Sequence, residues 1–149
     1  MADTLDEIIC PACGKAMKKV KLEEQGFFVD VCTEGCGGMF FDNREFKKVD
    51  EKSESIDEIL KATENKTFTP VDESQRRVCP VCGHNMVKNH SSHLKKVEVD
   101  ECYNCGGMFL DDGELLKIRN EYETEADRAA AFKQYADQQI KFLRTKYYK

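Results

Sequence analysis

The chain has 149 residues, 34 % of them charged and 40 % hydrophobic, with no tryptophan and a formal charge of −5. That length allows one ordinary domain or two very small ones, and the composition argues against a large single core. The acidic balance is a poor start for a nonspecific binder of phosphate backbones.

The opening MADTLDEIIC has neither a basic n-region nor an apolar h-region, and no run approaches the roughly 18 apolar residues of a membrane span. The expected location is therefore cytoplasmic. In a reducing compartment eight cysteines in close pairs point to metal rather than to disulfides.

An internal repeat organises the rest. Cys10, Cys13, Met17, Cys36, Gly37, Gly38, Met39, Phe40, Asp42 and Glu45 recur in order as Cys79, Cys82, Met86, Cys105, Gly106, Gly107, Met108, Phe109, Asp111 and Glu114. Only the third cysteine slips, with Cys32 answering to Cys102. The natural division is 8–49 and 77–113 for the two copies, 50–76 for an acidic polar linker, and 114–149 for a C-terminal amphipathic helix.

In copy one a CPACG turn leads into MKKVKL and FFVDV, which flank EEQG as a hairpin. Phe27, Val29 and Val31 alternate onto one face. After Cys36, MFF predicts a short third strand, and Asp42 and Glu45 stand at capping-box spacing before a helix. The linker reads as polar, although Ile56, Ile59 and Leu60 would line one side of a short helix over 56–64.

Copy two repeats the plan: CPVCG, then NMVKNH and LKKVEVDE around a Ser-Ser turn with Val97 and Val99 on one face, then MFL, then Asp111 and Glu114. From residue 114 onward Leu115, Ile118, Tyr122, Ala129, Phe132, Ala136, Leu143 and Tyr147 keep a mostly three-four spacing. That predicts one helix of several turns with an apolar stripe, acidic early and basic late.

The cysteine spacing carries the chemistry. Copy two reads C-x2-C-x19-C-x2-C, the pattern of a four-cysteine zinc site, in which each close pair offers two thiolates and the hairpin brings the pairs together. Copy one reads C-x2-C-x18-C-x3-C, within the spacing that structural zinc tolerates, with Gly35 supplying a permissive backbone at the extra residue. The expected ligands are Cys10, Cys13, Cys32 and Cys36 for one ion and Cys79, Cys82, Cys102 and Cys105 for a second. With four thiolates on each ion no position is left for water or substrate, so both sites are structural. Four tetrahedral thiolates suit iron as well as zinc; zinc is the expectation. Copy one, being irregular, is expected to hold the weaker site.

Each unit resembles the zinc ribbon of the transcription factor IIB type: CPACGKAM with CGGMFFDNREF, and CPVCGHNM with CYNCGGMFLDDGEL. Phe40 and Phe109 stand where members often carry Trp. The resemblance implies a small metal-stabilised α+β fold of two tandem zinc ribbons, each a hairpin plus a short third strand leading into a helix, followed by a long C-terminal helix.

No Ser-His-Asp pattern, phosphate loop or open metal site is present in the sequence, and a non-enzyme is expected. The lysines of the first hairpin, with Arg76, Arg77, Lys88, Lys95 and Lys96 around the second, read as solvated faces. His84, His90 and His93 read as exposed turn residues rather than as a further metal site. The leading expectation is a zinc-binding adaptor or scaffold that contacts a protein partner, or a second copy of itself, through the C-terminal helix. The alternative is a transcription-associated nucleic-acid binder, disfavoured by net charge. A third reading is a metal- or redox-responsive switch built on site one.

Overall fold

The computed structural model describes residues 7–43, 45–49, 54–90, 97–120 and 125–147. In copy one, strands β1 (Lys18–Leu22) and β2 (Phe27–Val31) pair antiparallel from Lys18 opposite Val31 to Leu22 opposite Phe27. Gly26 closes the turn at φ +80°, a conformation that costs a side-chain-bearing residue energy. The short β3 (Met39–Phe41) then pairs with β2, setting Phe40 opposite Asp30. Copy two builds the same three strands, β4 (Val87–His90), β5 (Glu98–Glu101) and β6 (Met108–Leu110), with Phe109 opposite Asp100. Residues 91–96, where the Ser-Ser turn is expected, lie outside the described residues.

The two ribbons are joined edge to edge. β3 and β6 pair antiparallel, giving one six-stranded sheet in the order β1-β2-β3-β6-β5-β4. The centre of this seam is Phe40 opposite Phe109, flanked by Met39 opposite Leu110 and Phe41 opposite Met108. Phe40 and Phe109 are repeat counterparts, so the seam has a local two-fold axis between them. A third strand in an isolated ribbon would present an open edge, and here each copy satisfies the other's.

Because side chains alternate along a strand, the sheet sorts its residues onto two faces. Phe41 and Leu110 go to a face packed by Val20, Leu22, Val29, Val31, Val97 and Val99. Phe40 and Phe109 go to the opposite face, among the cysteines, Met17 and Met86. The small core expected of two units thus becomes a shared one.

Three helical pieces cover the first face. A 3₁₀ turn, Phe46–Lys48, buries Phe46 and stacks it edge-on against Phe41 with ring centroids 5.6 Å apart. Helix α1 (Asp57–Thr63) falls where the linker pattern predicts one; Ile56 and Ile59 are buried and Leu60 faces out. Helix α2 (Glu114–Arg119) docks Leu115 and Ile118, and the Arg119 guanidinium donates to the carbonyls of Val49 at 2.6 Å and Glu54 at 2.5 Å. Ribbon two is thereby tied to the chain that leaves ribbon one.

The capping boxes form only in part. In copy two the Asp111 N–H donates to Glu114 Oε1 at 2.6 Å, but α2 starts from Gly113 at φ +85° without a side-chain cap. In copy one a single 3₁₀ turn stands where a helix is expected. Copy one carries Arg44 at the place of Gly113, and Arg44 lies outside the described residues.

α2 ends at Arg119 with Asn120 as its C-cap, and the long C-terminal helix is α3, from Glu125 to Tyr147; residues 121–124 between them lie outside the described residues. Tyr122 of the expected stripe lies outside the described residues. On α3, Phe132 and Ile140 are 66 % and 51 % exposed, so this part of the stripe is not absorbed into the core.

Candidate metal centres

Each cysteine pair sits on a turn closed by two backbone hydrogen bonds. At Cys10 the Gly14 N–H donates to the Cys10 carbonyl at 3.0 Å and the Cys10 N–H to the Lys15 carbonyl at 2.8 Å; Gly83, Cys79 and His84 repeat this in ribbon two. The second turn of ribbon two is closed by Gly106 N–H to the Cys102 carbonyl and Cys102 N–H to the Gly107 carbonyl. Ribbon one keeps both closing bonds, from Gly37 N–H to the Cys32 carbonyl and from Cys32 N–H to the Gly38 carbonyl. The additional residue of CTEGC is therefore absorbed inside the loop.

Gly35 is needed for a reason the sequence does not show. Its backbone is not in the left-handed region; instead, a Cβ there would lie 2.7 Å from Cys13 Sγ and 2.9 Å from Cys32 Sγ. The bulged turn presses its backbone against the sulfurs, and only glycine fits.

The eight sulfurs gather into two sets, Cys10 with Cys13, Cys32 and Cys36, and Cys79 with Cys82, Cys102 and Cys105, each within 4.8 Å of one another. Cys10 and Cys36 are 3.5 Å apart and Cys13 and Cys32 3.4 Å in one set, and Cys79 and Cys105 are 3.6 Å apart and Cys82 and Cys102 3.4 Å in the other. Four thiolates at about 2.3 Å from one zinc ion stand about 3.8 Å apart, so both cages are close to the dimensions of a filled site.

The electrostatics fit a cation. Burial beside Cys13 pushes the Cys32 thiol up to about 11. The Cys10 thiol and burial raise Cys36, and burial raises Cys79 and Cys105. Cys82 is the exception: Asn104 and the His84 N–H hold it down at about 5. Backbone N–H groups of Cys36, Gly38, Val81, Cys82 and Gly107 also point at sulfurs and favour thiolates. The raised thiols of Cys32, Cys36, Cys79 and Cys105 keep their protons until a divalent ion displaces them, because a doubly charged ion reverses that preference.

A family model described as a transcription factor zinc-finger matches residues 9–52 and 78–121. The chain belongs to this family. It carries the family's zinc ribbon twice, and its two four-cysteine cages, one per ribbon, are compatible with two zinc ions. No curated protein and no solved structure matches the chain. Among the described residues no helix is long and apolar enough to cross a membrane.

Beside the second ribbon's cage lies a polar network that the sequence pattern hides. Arg77, read from sequence as part of a solvated face, is 3 % exposed. Its Nη1 donates to Asp100 Oδ2 at 2.9 Å and Asp111 Oδ2 at 2.7 Å, and its guanidinium lies 5.2 Å from the Phe109 ring centroid. Lys88 joins Asp100 at 2.9 Å, as Lys19 joins Asp30 at 2.8 Å in ribbon one. Ile8, buried among the cysteines, holds in ribbon one the place of Arg77. His84 and His90 are exposed, and His93 lies outside the described residues.

Glu73, Asp111 and Glu114 bring carboxylate oxygens within 4.8 Å of one another. Arg77 already neutralises Asp111, and burial, helped by Asp111 and Glu73, pushes Glu114 from 4.5 up to about 8. The folded chain thus holds a proton that the unfolded chain loses near pH 4.5, so stability falls as pH rises from there to about 8. Glu114→Gln keeps the acceptor for the Asp111 N–H. It is expected to gain stability at pH 8 and to flatten this decline, read by urea unfolding of the zinc-loaded chain at pH 6, 7 and 8. An unchanged slope would count against the buried proton.

Proposed function

We propose that Cys10, Cys13, Cys32 and Cys36 hold one structural zinc ion, that Cys79, Cys82, Cys102 and Cys105 hold another, and that the chain is a non-enzymatic adaptor. The observation that supports this most is the closure of both cages: four sulfurs each, with backbone N–H groups turned towards them, leave no ligand position for substrate. The zinc ions act as staples for units too small to hold together on core burial alone. The sheet then serves as a rigid base from which α3 projects exposed Phe132, Tyr135 and Ile140 towards a protein partner or a second copy.

Nucleic-acid binding is the less supported reading. Lys19 and Lys88, two candidate phosphate contacts on the hairpins, are engaged with Asp30 and Asp100, and Arg77 is buried. Absence of salt-sensitive binding to duplex or single strands in fluorescence anisotropy at low salt is the expected result.

The adaptor reading predicts that deletion of residues 125–149 leaves zinc content and the β-sheet spectrum unchanged and abolishes association with the partner or the second copy. Light scattering of both chains, alone and in pull-down eluates, checks it. Association that survives the deletion would move the contact surface to the ribbons.

A further inference from the structure

The two cages differ in what covers them. Over the second turn of ribbon one runs the segment 66–69. The Thr69 N–H donates to the Gly35 carbonyl at 2.9 Å, the carbonyl of the additional residue in CTEGC. The Phe68 ring lies on Gly37, where a Cβ would meet Phe68 Cδ2 at 2.6 Å, and Lys66 reaches Glu34 at 3.1 Å. Under this strap Thr33, Gly35, Cys36 and Gly37 are all buried.

The corresponding turn of ribbon two is open. Tyr103 is 70 % exposed, Asn104 and Gly106 are exposed, and Cys105 is half-buried where Cys36 is buried; on the first turns Cys13 and Cys82 are half-buried alike. Gly106 is met by the Asn43 side chain, as Gly37 is met by Asp112 through the local two-fold, but Phe68 is an addition on the first ribbon's side.

We propose that the sites are divided by access: ribbon two carries an exchangeable zinc, open to chelators, competing thiophilic ions and thiol reagents, whereas ribbon one is held shut by the strap. This rests on the ligand reading above and reverses the expectation drawn from the irregular spacing of site one. Zinc leaves a four-thiolate cage when an incoming ligand reaches the ion and a thiolate lets go. Burial of the turn blocks the first event, and the strap's hydrogen bond to the bulge resists the second. Groups around a metal site that hold its ligands in place change affinity about 10–100-fold when removed, which sets the scale expected here. The additional residue of CTEGC gains a purpose: its carbonyl is the anchor of the strap.

The test is time-resolved native mass spectrometry of the full zinc-loaded chain in EDTA with N-ethylmaleimide, followed by peptide mapping. A one-zinc species is expected to accumulate with alkylation at Cys79, Cys82, Cys102 and Cys105, and site one to empty about tenfold more slowly. The double variant Lys66→Ala/Phe68→Ala should shorten the lifetime of site one towards that of site two. Simultaneous loss of both ions, first labelling at Cys10, Cys13, Cys32 or Cys36, or a site-one lifetime unchanged in the variant would overturn the assignment. A purified chain without metal would instead sink the ligand reading beneath it.

Discussion

Cys32→Ser is expected to cost the chain both zinc ions, whereas Cys102→Ser costs it one. The difference comes from how the two ribbons share their core. Val97, Val99, Leu110, Leu115 and Ile118 are ribbon two's contribution to the helical face; the other buried members come from residues 20–59, including Phe46, Val49, Ile56 and Ile59. Ribbon one, with α1 packed against β1, therefore keeps most of its own apolar contacts if ribbon two opens. Ribbon two leans its third strand on β3 and fastens Arg119 to carbonyls at Val49 and Glu54, and it loses these if ribbon one opens. A structural four-cysteine zinc site contributes about 10–16 kcal/mol in small ribbon-like units, at or above the roughly 5–15 kcal/mol net stability of whole domains. Loss of a ligand at Cys32 should thus unfold the sheet throughout. Native mass spectrometry and amide NMR dispersion read the outcome. Cys102→Ser should retain one zinc with dispersed signals for residues 18–41, and Cys32→Ser should show neither. A Cys32→Ser chain that keeps one zinc and a folded ribbon two would show that the ribbons stand independently.

How much of this was legible in the sequence depended on how local the physical signal was. The ligand sets, the hairpins and the third strands could be read because thiolate spacing, strand alternation and turn residues act within a few positions. β3 and β6 were predicted as strands, yet not as partners, because a three-residue strand presents too few alternating positions to declare which edges it needs. The hint lay in the repeat: two equal strands, each with an open edge, can pair antiparallel about a two-fold axis.

The burial of Arg77 is hidden from the sequence for a related reason. Next to Arg76 this residue looks like surface charge, and only the fold brings Asp100 and Asp111 to it from two strands of the second ribbon. Phe68 sat in a polar stretch with nothing local to pack on, and its partner, Gly37, lies a full ribbon away in sequence. The C-terminal stripe continued across Asn120 because apolar spacing carries no information about where docking of Leu115 and Ile118 ends one helix and another begins.

The seam gives the second large effect. A Cβ on Gly38 would stand 2.3 Å from Cζ of Phe109, and one on Gly107 would stand 2.3 Å from Cζ of Phe40. Each ribbon's second glycine of the Gly-Gly pair is thus the floor on which the other ribbon's phenylalanine rests. Both rings are fully buried, and Phe109 is also covered by the Arg77 guanidinium, so neither can swing aside freely. Phe109→Ala should cost about 3–5 kcal/mol as a buried aromatic deletion, and Gly38→Ala about 1–3 kcal/mol as an overpacked one. The decisive measurement is a double-mutant cycle in urea on the zinc-loaded chain. Gly38→Ala combined with Phe109→Leu should be less damaging than the sum of its parts, because the shortened side chain of ribbon two makes room for the methyl of ribbon one. Gly38→Ala combined with Phe40→Leu, two residues along the same ribbon but not over that glycine, should be close to additive. If the first pair is additive as well, the two ribbons do not meet through these residues, and the continuity of the six-stranded sheet fails with them.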